Sequence, residues 1–236
     1  MNQYNYGMVF NKTLIIITGT SSGIGSQLKS ILTKDKKFET QVFHSRDISE
    51  NYTDDITNKH IYGDLENYSN EWFSAIDLGR FSNIIFVNNA ATIEPIDKFK
   101  NLSVSSLNKS LSINTLFTAK ITQFLANKKN DNAKFLIFNI SSGASLSPVD
   151  GWTAYCMTKA ATKMMLDVID LENKDISVVH YDPGIVDTNM QKTIRSSNKK
   201  SMKDLSYFKT VKLKNSSEVA GSIIDLIIEA SSSLSK

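Results

Sequence analysis

The chain has 236 residues, 41% of them hydrophobic and 22% charged, with a formal net charge of +3. That length suffices for one sizeable core, and so small a charge, with no basic run interleaved with aromatics, excludes a nucleic-acid binder. A single cysteine, Cys156, excludes an internal disulfide, and no apolar run approaches the ~20 residues of a membrane helix.

Residues 1–11 read as a polar lead-in without the pattern of a signal peptide, so a cytoplasmic location is expected. Thr13–Thr18 is a short β-branched run ending at glycines, the pattern of a buried parallel strand. A helix follows from Gly23 to about Leu32, then short strands at Thr40–His44 and Asn58–Tyr62. Tyr68, Trp72, Phe73 and Ile76 are spaced as on an amphipathic helix over 67–78. Asn83–Asn88 is a further buried strand, 101–128 a long helix, and Lys134–Ile140 the next strand. A turn at Gly151 leads into a helix reaching Glu172. Ile176–Tyr181 forms a sixth strand, stopped by Pro183 and Gly184. Residues 185–213 carry little periodicity and read as a loop. Ser216–Ala230 is a last helix, with Ser216 or Ser217 as its cap. Strands alternating with helices predict one α/β domain over 1–236, a doubly wound Rossmann-type parallel sheet with helices on both faces. Ligands in such folds bind beyond the carboxyl ends of the strands.

The stretch from Thr18 to Gly25 ends the first strand and opens the first helix. Its glycines, Gly19, Gly23 and Gly25, allow a pyrophosphate to approach the backbone, and the helix N-terminus offers N–H donors. Ser21, Ser22 and Ile24 complete that turn. The spacing differs from the usual dinucleotide fingerprint, because three residues separate the first two glycines. After the second strand, His44 and Ser45 are not acidic, whereas Arg46 suits a ribose 2′-phosphate, which favours NADPH. Asp47 is placed to oppose this by taking the ribose, and Arg46 also reads as a surface side chain. Asp64 and Leu65 follow the third strand, either as an adenine contact or as a plain loop.

Tyr155 and Lys159 lie four residues apart and share one helix face. A phenol is a poor acid–base group at neutral pH, and a nearby ammonium favours its ionised form. Such a pair suits proton delivery to a carbonyl oxygen. Ser142 follows the fifth strand and offers a hydroxyl to the same oxygen. Asn114 sits inside the long helix, a locally unfavourable place that invites a structural or functional reason. No metal site is expected.

Thr18–Gly25, Asn88–Ala90, Asn114, Ser142, Tyr155 with Lys159, and Pro183–Gly184 resemble the short-chain dehydrogenase/reductase family in order and spacing across nearly the whole chain. The resemblance implies that Ser142 positions a carbonyl, that Tyr155 donates the proton, and that Lys159 lowers the Tyr155 pKa and contacts the nicotinamide ribose. It implies that Asn114 holds a water in a proton relay, that Asn88 and Ala90 lie along the cofactor, and that Ile185 and Thr188 meet the carboxamide. Gly151–Cys156 and Tyr181–Gln191 look like the sepiapterin reductase and benzil reductase branch, which reduces vicinal dicarbonyls with NADPH. On that resemblance Trp152 forms an aromatic wall, while Met190 and Gln191 line the pocket from the loop over about 185–213. The family also implies a homodimer through the helices at 101–128 and 152–172, and a seventh strand near the C-terminus. No such strand is legible here. Its lack argues against a dedicated pterin enzyme and toward a broader ketone or diketone reductase.

Overall fold

A computed structural model describes residues 10–35, 38–46 and 57–234. Residues 1–9 of the lead-in expected over 1–11, and Asp47, lie outside the described residues, whereas Phe10 and Asn11 begin the first strand. Six parallel strands form one sheet: β1 (Phe10–Thr18), β2 (Phe38–Ser45), β3 (Asn58–Tyr62), β4 (Asn83–Asn88), β5 (Lys134–Ile140) and β6 (Ile176–Tyr181). Their order is β3-β2-β1-β4-β5-β6. The chain direction of winding reverses between β1 and β4, and that reversal opens a crevice at the carboxyl ends.

Alternate residues of the central strands feed two cores. Ile15, Ile17, Ile85, Val87, Leu136 and Phe138 pack on one face, against α1 (Gly23–Asp35) and α7 (Ser216–Leu234). Leu14, Ile16, Ile84, Phe86, Phe135 and Ile137 pack on the other, against the helices that follow β4 and β5. Burial on both faces explains why these strands read as continuous apolar runs and not as alternating ones.

Three elements depart from expectation. Residues 67–78 form short 3-10 turns and no continuous helix, because Asp64, Ser69 and Asp77 each accept a hydrogen bond from a backbone N–H two residues on and close separate turns. Tyr68, Trp72, Phe73 and Ile76 still reach the core. The long helix begins at Val104, capped by Ser103, and is divided by a π-turn over Ser112–Leu116 into α2 (Val104–Leu111) and α3 (Phe117–Lys128). The expected loop contains α5 (Asn189–Ser196) and α6 (Leu205–Thr210). Thr188 caps α5 with a side chain that accepts from Gln191 N, so the signal was the Thr-x-x-Gln spacing. The last helix is capped by Asn215, whose Oδ1 accepts from Ser217 N at 2.7 Å, and not by Ser216 or Ser217. No strand follows α7 among the described residues.

Candidate active site

A cleft of about 1110 Å³ runs along the carboxyl ends of the strands. Its first end is built by the glycine turn. Gly19 and Gly23 have φ of +71° and +57°, a region that favours glycine. A Cβ on Gly25 would strike the Gly19 carbonyl and come within 2.7 Å of Asn89 Nδ2. Asn89, the middle residue of the Asn88–Ala90 motif, ties this turn to the end of β4. Its Nδ2 donates to the Thr18 carbonyl at 2.8 Å, and the Thr18 hydroxyl accepts from the Asn89 and Ala90 N–H groups. Ser21, Ser22 and Ile24 line the same end, as do Arg46, Asp64 and Leu65. Arg46 and Asp64 approach to 3.9 Å.

His44 also lines this end, unmarked by any sequence motif. It is buried, stacks on Trp72 with centroids 5.2 Å apart, and has Nε2 3.0 Å from the Gly63 carbonyl. Burial pulls its pKa down to about 4, so the ring is neutral and Nε2 donates.

The other end holds Ser142, Tyr155 and Lys159 together. Ser142 leaves β5 as the cap of a 3-10 turn and hydrogen-bonds the Tyr155 hydroxyl. Tyr155 and Lys159 stand one turn apart on α4 (Thr153–Glu172), and Lys159 Nζ lies 5.7 Å from the Tyr155 ring centroid. Nζ donates to the Ile140 carbonyl at 2.8 Å, a bond that fixes the lysine beneath the cleft. The phenol is pushed up to about 12 by burial, against which its bond to Ser142 works only partly. Burial brings Lys159 down to about 8. Burial is the largest influence on the phenol, and the nearby Asp182 and Cys156 add to the upward shift. Asp182, which sequence reasoning passed over, lines the cleft and favours the charged form of Lys159.

Ala90, Pro183, Gly184, Ile185 and Thr188 line the cleft between its two ends. Asn88 and Asn114 do not. Asn88 turns away into a buried chain in which Thr118 donates to Asn88, Asn88 to Asn139, and Asn139 to His180 Nδ1. Asn114 occupies the π-turn, where its side chain accepts from Thr92 N and donates to Thr92 O and Thr158 Oγ1. Its carbonyl accepts the Thr118 and Thr162 hydroxyls. The interior Asn thus holds the loop after β4 against α4, and its main-chain carbonyl accepts threonine hydroxyls.

Trp152 lies edge-on to Tyr155, with centroids 5.7 Å apart, and against Phe208 of α6 at 5.1 Å. Met190, Ile93 and Ile194 complete an apolar wall with Trp152 and Phe208, and the polar side chain of Gln191 lines the cleft as well. Ile93 and Phe208 carried no sequence signal, because both become pocket residues only through the packing of segments remote in the chain.

Comparison with known proteins agrees with this geometry. Residues 13–199 match the family model for short chain dehydrogenase. The chain belongs to that family and is an oxidoreductase of the class that uses a nicotinamide dinucleotide. It is 29% identical over 231 residues to benzil reductase ((S)-benzoin forming) of Bacillus subtilis (strain 168), covering 91% of this chain and 93% of the relative. The benzil reductase of Bacillus cereus is 30% identical over 223 residues, covering 84% and 85%. Rat sepiapterin reductase is 32% identical over 120 residues, 49% of this chain and 46% of its own. Among solved structures, the KRED1-Pglu enzyme superposes with a TM-score of 0.79 at 24% identity, covering 91% of this chain and 94% of that one, which establishes the shared fold.

Proposed function

We propose that this protein is an NADPH-dependent carbonyl reductase acting on vicinal diketones and related ketones. The observation that carries the reading is the juxtaposition of Ser142, Tyr155 and Lys159 with an apolar pocket walled by Trp152 and Phe208. Likeness to two benzil reductases over most of the chain supports the substrate class.

The glycine turn fits a dinucleotide, since Gly19 and Gly23 hold the positive φ of a tight turn that lines the cleft and Gly25 lets the helix start close on the Gly19 carbonyl. Gly19, Ser21, Ser22, Gly23 and Ile24 would hold the pyrophosphate side, and Asp64 and Leu65 the adenine. Arg46, just beyond a strand that ends in His44 and Ser45 and not in an acidic residue, would receive the 2′-phosphate. Ala90, Pro183, Gly184, Ile185 and Thr188 would border the nicotinamide half. A reduced nicotinamide dinucleotide supplies hydride to the carbonyl carbon.

The chain's own groups supply the rest. Ser142 Oγ donates to the substrate oxygen and holds it beside Tyr155. Tyr155, protonated at neutral pH, delivers its proton to that oxygen as negative charge develops there. The Lys159 ammonium stabilises the phenolate left behind. Asn114 acts on this set as a positioning residue, through Thr92 and Thr158. Trp152, Met190 and Gln191 shape the substrate end.

We further propose that 1–236 forms one domain, that the protein acts in the cytoplasm, and that it is a homodimer. No helix among the described residues is long and apolar enough to cross a membrane. Met157, Met164, Val168 and Leu171 form an exposed apolar stripe along α4 that suits a second copy. Oxidation of NADPH against a panel of diketones, simple ketones, pterins and oxoacyl thioesters tests the activity. Turnover of a diketone such as benzil is expected, and turnover of a thioester alone would overturn the assignment.

A further inference from the structure

The segment from α5 to α6 forms one wall of the substrate pocket, and two kinds of contact hold it. Its ends are tied by the backbone: Lys214 N donates to Ile185 O and Asp187 N to Lys214 O, both at 2.9 Å. Its middle, the connection between α5 and α6, rests on the corner that leads into α4. There Asp150 accepts from Lys203 N at 2.8 Å and from Lys98 Nζ at 2.6 Å. Asp97, on the neighbouring segment, accepts from Lys98 N and from the Ser201 side chain. The corner and that segment are themselves joined, since Asp97 N donates to Gly151 O at 3.0 Å.

A second observation points the same way. Gly151 has φ of +81°, and a Cβ there would strike the Ser201 carbonyl. The corner therefore carries no side chain where the connection lies on it. The connection in turn carries Met202, fully buried, and leads directly into Leu205 and Phe208 of α6. Trp152, two residues beyond Asp150, is the surface they pack on.

We propose that Asp150, paired with Lys98, is a positioning residue: it latches the α5–α6 connection to the corner and so holds Phe208 against Trp152 at the substrate end of the cleft. Neither Asp150 nor Lys98 lines the cleft, so the latch acts through the wall it fixes and not by touching substrate. The inference rests on the reading of that end as the carbonyl pocket, while the latch itself is measurable without any substrate.

The test is Asp150→Ala in the full chain, read in two ways. Lys199 and Lys200, in the latched connection, are exposed, so tryptic cleavage after them reports its freedom; cleavage after Lys128, at the end of α3, reports the rest of the protein. Cleavage at 199–200 is expected to accelerate about fivefold with the Lys128 site unchanged, the size of one lost, partly screened ion pair with a charge-assisted hydrogen bond. KM for benzil is expected to rise by about the same factor, with kcat and the NADPH Kd little changed. Asp150→Glu should recover part of both effects. Lys98→Met removes the pair from its other side and carries the same readouts if Asp150→Ala does not fold. Unchanged cleavage at 199–200, equal acceleration at Lys128, or faster cleavage with unchanged KM overturns the latch. If the wild-type protein reduces no carbonyl while cleavage responds as expected, the latch stands and the assignment of substrate falls.

Discussion

Lys159 sits 5.7 Å from the centre of the Tyr155 ring but gives its hydrogen bond to the Ile140 carbonyl at 2.8 Å. Both groups bear the desolvation of a buried site. Lys159 is brought to about 8 and Tyr155 pushed up to about 12. The sign of the pH dependence follows. Tyr155 keeps its proton throughout the working range and sets no limb. Lys159 is charged below pH 8 and loses its charge above it, and with it the stabilisation of the developing phenolate. For carbonyl reduction, kcat/KM, which reports the free enzyme, is expected to be level below pH 8 and to fall as pH rises through about 8. Initial rates from pH 6 to 10 check this, and a profile level to pH 10 would remove Lys159's charge from the mechanism.

Removing the phenol hydroxyl tests the proposed proton donor. Tyr155→Phe keeps the ring that packs edge-on to Trp152 and deletes only the group bonded to Ser142. Turnover is expected to fall by about a thousandfold, within the range of general acid catalysis. The NADPH Kd, followed by nicotinamide fluorescence, should stay within about twofold, since the hydroxyl contributes little to ground-state binding. Retained turnover would show that another group delivers the proton.

The proposed preference for NADPH rests on Arg46. Its side chain is 73% exposed and its approach to Asp64, at 3.9 Å, is too long to hold it firmly. It is free to meet a 2′-phosphate at the rim of the cleft. Solvent screening keeps the effect at the low end for a charge-assisted contact, so Arg46→Ala is expected to weaken NADPH about tenfold and NADH little. Titration of both cofactors with both proteins decides it, and equal losses would make Arg46 a structural residue.

The glycine turn yields a sharper structural test. Gly25→Ala would set a methyl group against the Gly19 carbonyl and Asn89 Nδ2, which are backbone and a doubly bonded amide with little room to yield. A loss of about 1–3 kcal/mol is expected, the usual range for overpacking. Cofactor affinity should fall with it, because the displaced carbonyl belongs to the turn itself. Urea unfolding and cofactor titration of the variant measure the two effects separately.

Much of this was legible because local chemistry and global fold agree. Strands β4, β5 and β6 were placed to the residue: β4 and β5 are largely apolar runs buried on both faces, and β6, only partly buried along most of its length, is set off by the turn residues Pro183 and Gly184 that follow it. Tyr155 and Lys159 were readable as a pair because a helix converts a spacing of four into proximity. What escaped depends on long-range packing. Phe208 gains its place from the corner at Asp150, nearly sixty residues earlier in the chain. His44 looks like any strand residue until Gly63 and Trp72 close around it. The helix expected over 67–78 failed for a local reason, as Ser69 and Asp77 offered the backbone competing hydrogen bonds that periodicity does not register.

His44 makes the fold sensitive to acid. Its Nε2 donates to Gly63 O, and its Nδ1 is buried with no hydrogen-bond partner. Burial disfavours the charged ring and lowers the folded pKa to about 4 from 6.5, and protonation would also place an N–H at Nδ1 where nothing accepts it. Between those values the unfolded chain binds the proton and the folded one does not. Stability is therefore full above pH 6.5 and is lost as pH falls toward 4, at which point the folded state also protonates. Linkage gives a loss of about 2 kcal/mol between pH 7 and 5 from this group. His44→Phe keeps a ring on Trp72 and removes the titration, so its unfolding free energy, from urea melts at pH 7 and pH 5, should lose about 2 kcal/mol less than that of the wild type. The variant gives up the bond to Gly63 O, so it is expected to be less stable at pH 7 and yet flatter with pH. An identical pH slope in the two proteins would show that His44 does not carry the acid sensitivity.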